Sequence, residues 1–258
     1  MPSASVSPKP QRPRTSSSLH DGAAPLASDL QIAGLVPLST VDWPGKLSAT
    51  VFCQGCPWNC EYCHNPSLID CAMPGIVEWN DVTSLLERRR GLLDAVVFTG
   101  GEATRQAALV PAMEEVRDAG FLVGLHTAGA YPTRMRKLAL LVDWVGLDIK
   151  ALPGDYGQVA GAISGGRKAW ECLDILISAG VNTEVRLTVY PGSAPARTAL
   201  QIAHEVRRRG ATTFALQNAR TEGTREEFAA RSREGWNATW ERLCTDMLEV
   251  GFPELRCR

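Results

Sequence analysis

The sequence predicts an α/β fold built on a parallel sheet, in the form of a partial (β/α)6 barrel. Three observations predict it. Short apolar runs alternate with helical periodicities six times along the chain, the pattern of strand–helix units with right-handed crossovers. The strands are continuously apolar, as strands covered on both faces are. The polar exceptions, Glu102, His126, Asp148, Lys150, Arg186 and Gln217, fall at or near strand C-termini, where such folds carry their reactive loops. Six units are fewer than the eight of a closed barrel, so a lateral opening is expected. A doubly wound open sheet is the alternative.

The elements follow in order. Residues 1–29 are rich in Ser, Pro and Ala and poor in large apolar side chains, so a disordered tail is expected there and one folded domain over 30–258. Ile32 to Gly45 reads as an extended opening segment ending in the Trp43-Pro-Gly turn. Ala49–Cys53 is the first buried strand. Asn80 is a good N-cap for a helix carrying Val82, Leu85 and Leu86, closed by Gly91. Ala95–Thr99 is a strand running into Gly100-Gly-Glu102, and Pro111 suits the first turn of the next helix. Phe121–Leu125, Trp144–Asp148, Glu184–Tyr190 and Phe214–Gln217 are further strands. Helix faces between and after them carry Met135, Leu138 and Val142; Ala169, Cys172 and Leu176; Ala199, Ile202 and Val206; and Trp236, Trp240, Leu243 and Met247.

The 258 residues suit one domain with a substantial core. A net charge of −1 gives no reason to expect a polyanionic partner or a membrane surface. No apolar run has transmembrane length and no apolar signal region follows Met1. Eight cysteines, several bunched in one short stretch, do not look like a secreted disulfide framework. They favour a metal site in a reducing compartment, and a cytoplasmic location is expected.

The chemistry is concentrated in Cys56-Pro-Trp-Asn-Cys60-Glu-Tyr-Cys63, a C-x3-C-x2-C run directly after the first strand. Three thiolates fill three corners of an iron–sulfur cube and leave one iron open to a substrate or cofactor. The competing reading is a zinc loop, with Cys53 as the fourth ligand zinc would want. The position of Cys53 at a strand end fits a buried thiol better. Cys71, Cys172, Cys244 and Cys257 are dispersed and form no second cluster motif. Cys172 and Cys244 belong with the core, and His204 with the surface.

The cysteine spacing, the Gly100-Gly-Glu102 motif and the six-unit pattern together resemble the radical S-adenosylmethionine (radical SAM) superfamily, and the partial barrel is of that type. The stretch from Ser39 to Pro66 looks like the glycyl-radical-enzyme activases, and most like the activating proteins of anaerobic ribonucleoside-triphosphate reductase. Asp148-Ile-Lys150 resembles the Asp-x-Lys of activases. The resemblance implies that Cys56, Cys60 and Cys63 hold a [4Fe–4S] cluster whose open iron chelates S-adenosylmethionine. Reductive cleavage then yields a 5′-deoxyadenosyl radical that abstracts hydrogen from a glycine of a partner enzyme. It implies a reduced flavodoxin- or ferredoxin-type electron donor, and no nucleic acid or membrane partner.

The same resemblance assigns cofactor contacts. Tyr62 would pack against the adenine. Gly100 and Gly101 would let backbone approach the ligand, and Glu102 would accept from its amino group. Asp148 and Lys150 share one strand face and would meet its polar groups or ribose; the alternative is a strand-end ion pair. Arg186 would hold its carboxylate; the alternative is a salt bridge to Glu184 on the same face. Two departures stand out. Ala103 replaces the usual proline after Gly-Gly-Glu, and His126-Thr-Ala-Gly129 stands where activases show Asp-Thr-Asn-Gly. The functional expectation is an activase. The rivals are a radical SAM enzyme acting on a small molecule or nucleoside, and a non-catalytic zinc or iron–sulfur protein.

Overall fold

The computed structural model describes residues 24–258. One eight-stranded sheet runs in chain order. β1 (Ile32–Ser39) pairs antiparallel with β2 (Ser48–Cys53). β3 (Ala95–Gly100), β4 (Leu122–Thr127), β5 (Trp144–Asp148), β6 (Thr183–Val189), β7 (Thr213–Asn218) and β8 (Glu254–Cys257) continue from β2, all parallel. The helices are α1 (Trp79–Arg88), α2 (Leu109–Asp118), α3 (Pro132–Leu138), α4 (Tyr156–Ala160), α5 (Gly165–Ser178), α6 (Ala194–Arg208), α7 (Glu226–Ala229) and α8 (Trp236–Leu248). The sheet curls but does not close, the partial barrel the sequence predicts.

The six predicted strands correspond to β2–β7. The structure adds β8, whose Glu-Leu-Arg-Cys sequence has neither an apolar run nor a clean alternation to announce it. α1 starts one residue ahead of the predicted cap, with Glu78 in the cap position and its backbone N–H donating to Asp81. Residues 1–23 of the predicted tail lie outside the described residues. The rest of it is not tail: Ala27–Asp29 form a 3-10 turn packed on α1 and α2, with Ala27 and Leu30 buried. Composition averaged over the window concealed that two apolar residues suffice to dock a turn.

Period-two alternation sorts the strands into two faces. The outer face, Val96, Phe98, Val123, Leu125, Val145, Leu147, Val185 and Leu187, packs against the helices in the main core. Burying an apolar side chain of this size contributes about 1.5–3 kcal/mol. The inner face differs. Trp43, from the β1–β2 turn, stacks on Trp144 at 5.4 Å and plugs one end with Ala95 and Val97. Gly124 must be a glycine, because a Cβ there would come within 2.8 Å of the Trp43 ring. Above this plug the inner face turns polar: His126, Asp148, Glu184, Arg186 and Gln217. Curvature brings them together, as Arg186 on β6 approaches His126 on β4 at 3.3 Å.

Candidate active site

The cysteine run leaves β2 as a loop at the open, C-terminal end of the barrel. Its start is pinned by backbone: Gly55 donates to the Leu68 carbonyl at 2.9 Å and Cys56 to Ile69 at 3.1 Å. Gln106 then ties the Gln31 and Gln54 carbonyls together through its side-chain amide, at 2.9 and 3.1 Å. Its far part is held by Asn59 donating to Ala160 and Cys63 to Cys60. Cys56, Cys60 and Cys63 are all unpaired; Cys60 is buried and the other two half-buried.

Burial pushes the Cys56 thiol up to about 12, and it raises Cys60 as well. Lys150 opposes the rise at both. Such thiols keep their protons until a cation replaces them, so metal binding here releases protons. Among the described residues, no three His, Cys, Asp or Glu side chains stand close enough to hold a single metal ion. Cys56, Cys60 and Cys63 stand as three free thiols along one loop. Cys53 lies in β2, fully buried and pushed to about 12 by that burial, as the sequence reading of a buried strand thiol has it. Cys172 is in the core, Cys244 is half-buried and His204 is exposed.

The Gly-Gly-Glu motif packs against this loop. Gly100 adopts φ +112°, and a Cβ there would fall 2.3 Å from the Cys53 nitrogen. At Gly101 it would fall 2.5 Å from the Gly55 carbonyl oxygen. The close approach these glycines permit is to the backbone around the cysteine loop. Glu102 is 1% exposed. Its Oε1 accepts from the Thr104 amide at 3.2 Å, the Thr104 hydroxyl, and the Thr127 hydroxyl at 2.7 Å; its Oε2 accepts from the Ala128 amide at 2.8 Å. Burial raises its carboxyl above the usual range, against these bonds. The carboxylate thus joins the β3 and β4 loops, and only Oε2 keeps a free acceptor direction. Two of the departing residues sit here: Ala103 opens a buried 3-10 turn, and Ala128 donates its amide to Glu102.

Tyr62 does not present its ring outward. It is buried against Tyr190 and Phe228, with ring centroids 5.3 and 6.4 Å away. Its hydroxyl accepts from Lys150 Nζ at 3.3 Å. Lys150 is 7% exposed and also reaches Asp148 at 3.4 Å. Burial alone would lower its pKa; Tyr62, Cys60 and Asp148 outweigh it and hold the ammonium well above the usual range. Asp148 and Lys150 therefore share a face and form the strand-end ion pair, directly under the cysteine loop.

Arg186 is committed inside the barrel. Its Nε donates to Glu184 at 2.8 Å, and its guanidinium lies over Trp144 at 5.2 Å. The carboxylate of Glu184 also receives Arg258 at 2.7 Å and Arg256. This is the internal salt bridge of the two alternatives for Arg186, with two further arginines that the sequence did not connect to it. His126 Nε2 lies 2.7 Å from the Asp42 carbonyl, which can only accept, so that nitrogen carries the proton. The Arg186 contact is then donor against donor, and burial keeps the imidazole neutral by lowering its pKa.

Sequence reasoning missed the residues that surround the cysteine loop: Gln106, Tyr156, Tyr190, Phe228 and the arginines of the β7–α8 crossover. Tyr156 accepts from the Lys150 amide at 3.0 Å. Tyr190 ends a predicted strand and the others stand in no periodic or motif-bearing stretch, so only their positions in the fold reveal the contacts they make. Cys71, taken as dispersed, lies at the surface with its sulfur 3.6 Å from the Cys56 carbonyl.

Comparison with known proteins places this geometry. The radical SAM superfamily pattern matches residues 50–197, more than half of the chain. A protein of Methanocaldococcus jannaschii named as a glycyl-radical enzyme activating enzyme is 32% identical over 170 residues, 62% of this chain and 68% of that protein. The pyruvate formate-lyase-activating enzyme of Clostridium pasteurianum is 28% identical over 62% of this chain and 69% of its own length. A 7-carboxy-7-deazaguanine synthase of Methanothermobacter thermautotrophicus is 26% identical over 57% of this chain and 63% of that protein. Streptococcus suis SuiB bound to S-adenosylmethionine shares the fold with a TM-score of 0.61 at 11% identity, over 80% of this chain; the chain spans 48% of SuiB. The superfamily works with a [4Fe–4S] cluster and S-adenosylmethionine, and three unpaired thiols at the barrel mouth fit that donor set. The chain belongs to the radical SAM superfamily and is a homologue of its glycyl-radical enzyme activating enzymes.

Proposed function

We propose that this chain activates a glycyl-radical enzyme, and that its protein substrate is anaerobic ribonucleoside-triphosphate reductase. One observation carries the activase reading: three free thiols at the mouth of a partial barrel, in a chain similar over most of its length to activating enzymes. The narrower choice of reductase rests on the stretch from Ser39 to Pro66.

Cys56, Cys60 and Cys63 are the assigned cluster ligands. When bound, the cluster supplies the electron that cleaves S-adenosylmethionine reductively and so makes hydrogen abstraction from a glycine accessible. The chain's own residues position and shield. Glu102 fixes the β3 and β4 loops and offers the remaining lone pair of Oε2 to the ligand's amino group. Gly100 and Gly101 hold the loop close to the cysteines. Asp148 and Lys150 form a polar floor for the ligand. Tyr62 supports that floor from the inside rather than covering the adenine, and Arg186 shapes the barrel interior through Glu184. The electron donor is assigned as a reduced flavodoxin or ferredoxin, and the compartment as the cytoplasm. No helix among the described residues is long and apolar enough to cross a membrane.

The similarity to a 7-carboxy-7-deazaguanine synthase favours one second reading, a small-molecule substrate. One experiment separates the two. Reconstituted, reduced protein is mixed anaerobically with S-adenosylmethionine and the anaerobic reductase from the same genome. A glycyl-radical doublet in the electron paramagnetic resonance (EPR) spectrum of the reductase is the expected result. Cleavage of S-adenosylmethionine with no radical on any glycyl-radical enzyme of that genome overturns the activase reading. A radical on a different glycyl-radical enzyme overturns only the choice of partner.

A further inference from the structure

We propose that the crossover between β7 and α8, residues 219–235, is a clamp on the cysteine loop, with Arg225 as the positioning residue for Cys60. The proposal rests on the assignment of Cys60 as a cluster ligand. The crossover lies outside the part of the chain that matches the superfamily pattern, so membership alone gives it no role.

The contacts are dense and fall on a few neighbouring residues. Arg225 donates through Nη1 to the Cys60 carbonyl at 2.9 Å and through Nη2 to the Asn59 side chain. Arg231 pairs with Glu61, which also receives the Tyr190 hydroxyl. Phe228 packs on Tyr62 and, at 5.2 Å, on Tyr190. The Glu222 carbonyl accepts from His64 Nδ1 at 3.1 Å. Gly223 passes so close that a Cβ would sit 2.8 Å from the His64 carbonyl oxygen. Asn59, Cys60, Glu61, Tyr62 and His64 are all engaged, and none of the contacts uses a cysteine sulfur.

The loop needs such a clamp. Beyond Cys56, whose amide is tied to Ile69, the loop's own backbone makes only two bonds as far as Cys63, Asn59 to Ala160 and Cys63 to Cys60. The Cys60 carbonyl accepts from the Cys63 amide on one side and from Arg225 on the other, which fixes the peptide that orients the middle thiol. A guanidinium can serve two acceptors in one plane, which an ammonium cannot. The clamp is anchored behind by Arg233 donating to the Ala219 carbonyl at 3.1 Å and the Asn218 side chain at 2.7 Å. Phe228 is its one buried apolar anchor between Ala219 and Gly235, so most of its hold on the loop is polar.

The test uses the full chain, reconstituted anaerobically with iron and sulfide. Arg225→Gln, Arg225→Lys and Cys60→Ala are compared with wild type and with Arg242→Gln, an exposed arginine on α8. The readouts are the rate of iron release to a chelator and the EPR signal of the reduced cluster. Arg225→Gln is expected to release iron about tenfold faster, with a shifted EPR signal. Arg225→Lys should fall between, and Arg242→Gln should match wild type. Wild-type release and an unchanged signal for Arg225→Gln overturn the clamp. If Cys60→Ala retains the cluster, the ligand assignment fails instead. Should Arg225→Gln fold poorly, hydrogen exchange in the wild-type holoprotein decides. The amides of residues 60–64 and 224–228 must open together; independent opening overturns the clamp.

Discussion

Lys150 and Tyr62 meet under the cysteine loop, with Nζ 3.3 Å from the phenol oxygen and 5.3 Å from the ring centroid. One contact joins the end of β5 to the residue between the second and third thiols. A buried cation thus stands beside the cysteine loop, and it favours the thiolate form of both Cys56 and Cys60.

Lys150→Met should therefore act on both stability and redox behaviour. Leaving the Tyr62 hydroxyl without its donor costs roughly 1–3 kcal/mol in the apo protein. Asp148 is partly exposed, so its lost pairing adds little. Removing a positive charge near the cluster lowers its reduction potential. Urea denaturation reads the first effect and potentiometric EPR the second. An unchanged potential would show that the ammonium does not sense the cluster.

Each of Cys56→Ala, Cys60→Ala and Cys63→Ala should abolish iron binding after reconstitution. Cys53→Ala and Cys172→Ala should bind iron at wild-type stoichiometry and lower stability by about 1–2 kcal/mol, because both thiols are fully buried. Iron analysis beside thermal melting of the apo variants distinguishes the two groups. Loss of iron in Cys53→Ala would reopen the four-cysteine reading.

Gly100→Ala and Gly101→Ala are expected to cost more than about 3 kcal/mol, since the new methyl would overlap backbone that cannot yield. Gly91→Ala is the control. It also has positive φ, +75°, but open space around its Cβ position, and should cost only about 1 kcal/mol. Equal losses at Gly91 and Gly100 in denaturant titrations would mean that backbone conformation, not the cysteine loop, sets the requirement.

Glu184 gives a pH-dependent prediction. Burial would raise its carboxyl, but Arg186 and Arg258 win and hold it below the usual range. Its stabilisation is fully present above the unfolded value near 4.5 and is lost as pH falls through the lowered folded value. Glu184→Gln leaves three arginines facing one another and should cost roughly 3 kcal/mol at neutral pH. The difference from wild type should shrink as the pH falls from about 4.5 through the lowered folded value. A difference that stays constant down to that point would argue that lost packing, not lost charge, is the cause.

Much of this was legible in the sequence, and for local reasons. Strand and helix identity follows from apolar periodicity, which is why β2–β7 stand where predicted. β8 escaped because Glu254–Cys257 has no apolar pattern and is specified by pairing with β7. The cysteine spacing and the Gly-Gly-Glu motif identify the mouth of the barrel because their chemistry is contained in a few consecutive residues. The direction of Tyr62 was not legible. An aromatic in that loop can face out or in, and Phe228, which draws it inward, comes from 166 residues further along the chain.

By itself, then, the sequence determined the fold class, the position of the cysteine loop and the superfamily, because each depends on neighbours within a turn, a strand or a motif. Only the tertiary structure decided what the polar residues do. It turned Glu102 into the joint between two loops, confined Arg186 to a buried carboxylate shared by three arginines, and set the β7–α8 crossover over the cysteines. Those roles depend on which distant side chain occupies the adjoining space, and curvature of the sheet, not spacing along the chain, brings the partners there.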